Sequence, residues 1–272
     1  MANWLKSPAT ETQVTHGQRL WLYMLATVTM ILLVAPTLIV IPMSFSESQY
    51  LEFPPEKWST RWYGNYFGSS EWMLATRTSL KAAFLTMLVA TPVGVLAAYG
   101  LHASRIRFIR VAFVMLITPM MVPVVLIAIG AFYAYVQLQI LYTITGLVLA
   151  HTVLALPLVL IVTGAALKGY DMSQEEAARS LGAPRWKAFL TVTLPQIKFA
   201  VVTSALLSFL TSFDEVIVAM FISGGDNPTL TRSMFNALRD QIDPTIASIS
   251  TIMILVTTLM MVLAQIFGQQ KK

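Results

Sequence analysis

Apolar runs of about 20 residues, long enough to cross a hydrocarbon core of roughly 30 Å, alternate along this chain with short polar segments. The alternation predicts six helical spans, at about 20–43, 79–101, 111–136, 144–167, 196–222 and 245–267. Length divides the middle of the chain. No Lys, Arg, Asp or Glu occurs in the 57 residues from Val111 to Leu167, and one helix of that size would be about 85 Å long at 1.5 Å per residue. The segment has to fold back, and its most polar point, Gln137 to Thr145, marks the turn. Pro119, Pro123 and Pro157 predict kinks or unwound turns, which membrane helices tolerate where the freed backbone faces protein or a cavity.

The polar segments differ in kind. Residues 1–19 are polar, and the first apolar run, extending to Phe45, is too long for the core of a signal peptide, so it reads as a retained helix. Ser46 to Trp72 is dense in Trp and Tyr, which suits an interfacial helix and loop. A charged island fills Ser173 to Pro195, in a loop spanning 168–195, and residues 269–272 form a short basic tail.

Composition sharpens this into an all-α membrane protein. The 272 residues are 56% hydrophobic and 11% charged, well below the roughly 25% charge of soluble domains. The net charge of +5 is spread over loops rather than gathered in a basic run, which fits membrane orientation better than nucleic-acid binding. With the N-terminus inside, twelve Lys and Arg fall on the inner side and six on the outer, so both termini and the island are expected in the cytoplasm. The absence of cysteine excludes disulfides and thiolate chemistry. No hydrolase or metalloprotease motif occurs, and His16, His102 and His151 stand isolated as interfacial or packing residues. No catalytic residue, metal site or cofactor is expected.

Within the island, Ser173 and Glu176 have capping-box spacing. Glu175, Glu176, Ala177, Ala178 and Leu181 favour a short helix with its acids at the positive end. Gly182 is placed to terminate it in a left-handed conformation. Pro184 then suits the first turn of a second helix, to Leu194. A small Ala177–Ala178 face admits another surface closely, while Arg179, Arg185 and Lys187 suit acidic or lipid groups. A plain amphipathic connector on the membrane fits the periodicity equally well.

Glu176-Ala177-Ala178, three residues, Gly182, nine residues, Val192, one residue and Leu194-Pro195 resembles the loop of permease subunits in bacterial binding-protein-dependent ATP-binding-cassette importers. Val192 in place of Ile is the one departure. The likeness covers the chain from Leu20 onward and implies the type I importer permease arrangement, with a coupling helix between the fourth and fifth spans. Glu176, Ala177, Ala178, Arg179, Leu181 and Gly182 are then the implied contacts to an ATPase subunit. The implied partners are two cytoplasmic ATPases, a second permease (a different chain, giving a heterodimer), a periplasmic binding protein and the lipid of a bacterial inner membrane. ATP hydrolysis belongs to the separate ATPase.

Asp214 and Glu215 interrupt the fifth span. An acid near the middle of a spanning helix costs about 2.5–3.5 kcal/mol on insertion scales and so faces protein or water. Consecutive residues of an ideal helix point roughly 100° apart, placing one acid on a pathway and the other toward a partner or a cation such as Lys81; an internally paired acid that helps assembly is the alternative. The segment with the following Gly-Gly-Asp-Asn-Pro loop is similar to the second permease of spermidine/putrescine-type importers, which implies a polyamine path. Phe213, Tyr99 and Tyr133, with Tyr135, are the aromatics available for cation–π contact. Opines, amino-acid derivatives and phosphonates are alternative cargoes within the same class. A stand-alone proton-coupled secondary transporter is the alternative from another class.

Overall fold

The structure, a computed structural model, describes residues 7, 15–104, 108–240 and 242–268. The expectations for residues 1–6, 8–14 and 269–272 therefore lie outside the described residues. The described residues are helical, with isolated bridges and no strand among them. Four helices are long and apolar enough to cross a membrane, and two bent pairs raise the number to six if each pair is one span.

The chain forms two compact units, Met1–Asn65 with Ile242–Ile254, and Tyr66–Gln241 with Leu255–Lys272. In the first, α1 (Leu20–Met43) matches the predicted first span and buries none of its side chains. The aromatic segment beyond it is held locally. Ser44 Oγ lies 2.7 Å from the Tyr63 hydroxyl, and Phe45 contacts the rings of Tyr63 and Trp58. A short helix, α2 (Arg61–Gly68), follows. Trp62 is buried, and its carbonyl accepts from Ser248 on the first turns of the last helix.

The second unit is built on α3 (Ser70–Ala103) and α6 (Ile144–Lys168), with α9 (Lys198–Phe213) against both. Helix α3 begins nine residues before the predicted span because Ser69 caps it, accepting from the Trp72 N–H at 3.3 Å, and its polar first turns carry on into the apolar run. Its buried face is a file of small residues, among them Ala75, Ser79, Ala82, Ala83, Thr86, Ala90 and Gly94. Small side chains let helix backbones approach closely where lipid removes the hydrophobic drive between helices. The approach is tightest at Gly94, where a β-carbon would lie 2.5 Å from Val159 Cγ1.

Two predicted spans are not single helices. The third divides into α4 (Ile109–Ile117), a 3₁₀ turn at Thr118–Met120 and α5 (Val124–Gln137), with a 94° bend between the parts. Pro119 and Pro123 remove backbone donors there, and Pro123 stands at the start of α5. Pro157, by contrast, leaves α6 continuous. The fold-back falls where polarity places it, with Gln139 and Tyr142 in left-handed conformations and Thr143 accepting from the Gly146 N–H at 3.1 Å.

The fifth predicted span starts where the helical run α8 (Arg185–Gln196) meets α9 at 82°, at Ile197. It is cut once, at Asp214–Val216, before α10 (Ile217–Ile222), which packs Val218 and Ile222 against Ala128 of α5 and Ala150 of α6. The polar segment beyond contains an amphipathic helix that apolar run length alone did not mark, α11 (Leu230–Asp240), and the last helix is α12 (Thr245–Gly268).

The tight crossing gives a paired prediction within one helix. Gly94→Ala is expected to cost about 1–3 kcal/mol through overpacking against a stiff β-branched neighbour. Gly100→Ala meets nothing within 4 Å and should be neutral or gain up to about 1 kcal/mol of helix propensity. Thermal unfolding of the two variants in detergent measures the difference; equal midpoints would refute the close approach.

Candidate functional site

The island folds as a helical hairpin between α6 and α9. Its first helix, α7 (Ser173–Ser180), is not closed by the predicted capping box. Asp171 does that work, accepting from the Ser173 backbone N–H at 3.0 Å and the Ser173 hydroxyl at 2.8 Å. Being two residues earlier, Asp171 satisfies both donors of Ser173 and leaves Glu176 free for the surface. These bonds, the backbone one foremost, hold the Asp171 carboxyl below the ordinary Asp range. A depressed folded-state pKa means this cap stabilises the loop above the unfolded value of about 3.9 and is lost as pH falls through the folded value.

Gly182 ends α7 with φ +95°. The Ala183 N–H reaches back to the Ala178 carbonyl and the Gly182 N–H to the Arg179 carbonyl, the paired bonds of a Schellman terminator. Pro184 then stands before α8 in extended conformation rather than in its first turn, its carbonyl accepting from Lys187 and Ala188. Within α8, residues Phe189–Thr193 form a π turn. Pro195 offers no N–H to Thr191, and the wider turn absorbs the missing bond.

The hairpin has two faces. Glu176, Ala177, Arg179, Leu181 and Gly182 are exposed and Ala178 is half-buried. Leu181 is 90% exposed at the turn, and Trp186 is 67% exposed on the second helix. The opposite face is anchored by Glu175, which is 1% exposed. Its carboxylate accepts from the Tyr99 hydroxyl of α3 at 2.5 Å and from the Thr193 hydroxyl of the π turn. Arg185 Nε lies 3.4 Å from the same Tyr99 oxygen, with its guanidinium 5.6 Å from the ring. Phe189 covers the other side of Tyr99 at 4.5 Å between centroids. A buried carboxylate is tolerated only when its lone pairs are satisfied, and hydroxyls from two elements provide that.

Glu175, Thr193 and Arg185 were not singled out as a cluster by sequence. The available signal was spacing: Met172, Glu175 and Ala178 share one helix face, so consecutive glutamates have to point one inward and one outward. Tyr99, expected along a substrate path, belongs to this anchor.

The second group of expected residues surrounds the break after α9. Asp214 is exposed, and among the described residues its carboxylate makes no hydrogen bond or ion pair. Glu215 is committed locally: its carboxylate accepts from the Val218 N–H at 2.9 Å, capping α10, and its carbonyl accepts from Thr231. Because the helix is broken here, the 100° relation of an ideal helix does not apply. Lys81 forms an ion pair with neither acid. Phe213 is buried and stacked on Phe209 at 5.7 Å, whereas Tyr133 on α5 is 67% exposed. Deeper in the same unit, His151 is 1% exposed, with Nδ1 2.7 Å from Ser212 Oγ, and Ser212 in turn lies 3.3 Å from Thr86. This polar contact joins α6, α9 and α3 and was not read from the sequence.

Long apolar helices with a Gly-terminated hairpin between two of them are the architecture of a multi-span membrane protein. The chain belongs to the binding-protein-dependent transport system inner membrane component family, whose pattern matches residues 90–272, the hairpin included. It is 31% identical over 236 residues to the spermidine/putrescine transport system permease protein PotC of Haemophilus influenzae, covering 86% of this chain and 91% of that one. It is 31% identical over 232 residues to the putrescine transport system permease protein PotI of Escherichia coli, covering 82% and 81%. In fold it is similar to the crystal structure of a bacterial ABC transporter involved in the import of the acidic polysaccharide alginate, with a TM-score of 0.70 and 16% identity over 95% of this chain and 99% of that one.

The terminator geometry predicts that Gly182→Ala strains the hairpin by roughly 1–2 kcal/mol, since a β-carbon is disfavoured at left-handed φ. Amide hydrogen exchange at Gly182 and Ala183 should then speed up by about 5- to 30-fold, with the amides of α6 unchanged. Unaltered exchange would refute the strained terminator.

Proposed function

We propose that this chain is one of two permease subunits, each a different chain, of an ATP-driven importer, and that its cargo is a polyamine. The observation that carries the reading is the hairpin, clamped from behind at Glu175 while Glu176, Ala177, Arg179 and Leu181 face outward around Gly182. A rigidly backed surface with large apolar side chains at its crest is suited to seat in a groove of another protein. The partner is a cytoplasmic ATPase, one under each permease, and its movement on ATP binding and release drives alternating access. A periplasmic binding protein delivers the solute, as one is seen with the solved alginate transporter.

In this reading residues 20–268 form a six-span domain, with α4 and α5 together as the third span, α9 and α10 as the fifth, the hairpin with α8 between spans, and segments 1–19 and 269–272 in the cytoplasm. The two-to-one excess of Lys and Arg on the hairpin side supports that orientation. The polyamine assignment rests on the two permease relatives, which belong to spermidine/putrescine and putrescine transport systems. Within the chain it rests on Asp214, an acid left free at a helix break between apolar segments. Glu215 supports the break, Tyr133 contributes exposed aromatic surface, and the buried Phe213 stands immediately before the break.

Two measurements test the parts separately. Leu181→Asp and Glu176→Lys should each abolish co-purification of the ATPase while the permease still folds. Retention of the ATPase by both variants would refute the docking surface. Asp214→Asn should leave the complex assembled but lower spermidine uptake in vesicles by about tenfold, the effect of losing roughly 1.4 kcal/mol of charge attraction. Uptake at the unmodified level would remove Asp214 from the path.

A further inference from the structure

We propose that Glu175 is a positioning residue for transport: it locks the hairpin, the end of α3 and the π turn of α8 into one rigid body, so that a push on the hairpin is delivered to α3. The inference rests on the docking reading of the hairpin and assigns a separate role to its hidden face.

Chain connectivity alone would carry a displacement of the hairpin forward through α8 to the 82° bend at Ile197, where a change of angle can absorb it. Backward, it would reach only the end of α6 at Gly169. Glu175 supplies another route. It is the only Asp, Glu, Lys or Arg side chain buried among the described residues, and its two donors come from 76 residues upstream and 18 downstream. The carboxylate therefore joins three pieces that the chain itself joins only distantly.

The surroundings make the joint stiff. Tyr99 belongs to a buried apolar cluster with Val95, Ala98, Leu167, Phe189 and Ile197, and hydrogen bonds shielded from water are stronger and costlier to break than exposed ones. Arg185 holds the Tyr99 hydroxyl from the exposed side. The adjacent glutamates thus divide the labour: Glu176 faces the partner, and Glu175 fastens the surface that Glu176 stands on.

The test uses the whole importer in proteoliposomes, with ATPase, partner permease, binding protein and spermidine, and compares Glu175→Gln and Tyr99→Phe with Leu181→Asp. Both anchor variants should retain the ATPase and its hydrolysis. Uptake per ATP hydrolysed should fall at least about fivefold, the low end of coupling between distant sites. The double variant should be no worse than the worse single one. Tyr99→Phe removes one hydroxyl and keeps the ring, so it carries the test if Glu175→Gln does not fold. Unchanged uptake per ATP in the folded anchor variants overturns the proposal, and so does loss of the ATPase from them, which would make Glu175 part of the dock. Retention of the ATPase by Leu181→Asp refutes the docking reading instead. Because the chain has no cysteine, spin labels can be placed at His102→Cys and Ser180→Cys alone. Their distance should stay constant between nucleotide-free and ATP-bound states and vary once Glu175→Gln is added; a distance that changes with nucleotide in the otherwise unaltered protein overturns the rigid body.

Discussion

Burying a carboxylate beneath a loop constrains everything that touches it, and the Glu175 side chain is where the second unit is tied together. Without Tyr99 and Thr193 it would be an unsatisfied charge, a state that costs several kcal/mol and is avoided by moving or protonating the group. So Tyr99, one turn before the end of α3, has to reach the hairpin, and α8 has to present Thr193 to the same point. The π turn now has a reason beyond Pro195. It adds a residue to the turn, which sets the register of Thr193 while absorbing the donor that proline lacks. One buried carboxyl thereby ties the end of one helix to the π turn of another.

The same economy governs the broken helices. In hydrocarbon an unpaired backbone group has no water to turn to, so each interruption is closed locally. At Asp214–Val216 the Glu215 carboxylate takes the Val218 N–H, and Thr231 reaches the Glu215 carbonyl. At the start of α11 the Leu230 N–H is taken by Ser79 of α3 at 2.8 Å. At the fold-back, Asn227 donates to the Tyr142 carbonyl at 3.0 Å. Residues that look like polar intrusions in the sequence are the repairs that make the breaks affordable.

What could be read from sequence followed from how local its cause is. The positions of α1, α6 and α12 were legible because each is an uninterrupted apolar run of membrane-spanning length. Gly182 was legible because a left-handed terminator needs glycine next to a charged, helix-favouring segment. The divisions of the third and fifth spans were not, since apolarity reports the crossing and not the path taken: the run through Met121–Pro123 is apolar on both sides of a 94° bend. The capping box failed for a related reason. Ser173 and Glu176 have the right spacing, but the Ser173 N–H goes to Asp171 and the Glu176 N–H to the Met172 carbonyl, in a register that buries Glu175. Tyr99 was placed by its aromatic chemistry alone, and only its distance from Glu175, 76 residues away in sequence, reveals its neighbours.

In the function proposed above, cargo and drive lie in different parts of this architecture, and the two parts are constrained differently. The hairpin's residues are fixed by mutual contacts, Glu175 with Tyr99 and Gly182 with its own backbone. Asp214 carries no such obligation. Its backbone closes α9 onto Leu210, while its side chain has no hydrogen-bond or ion-pair partner among the described residues, at a break already stabilised by its neighbour Glu215. A side chain that the fold does not need can change without disturbing the fold. The fold is shared with a transporter that imports the acidic polysaccharide alginate at only 16% identity, so the helical frame can be kept while side chains outside its contacts vary.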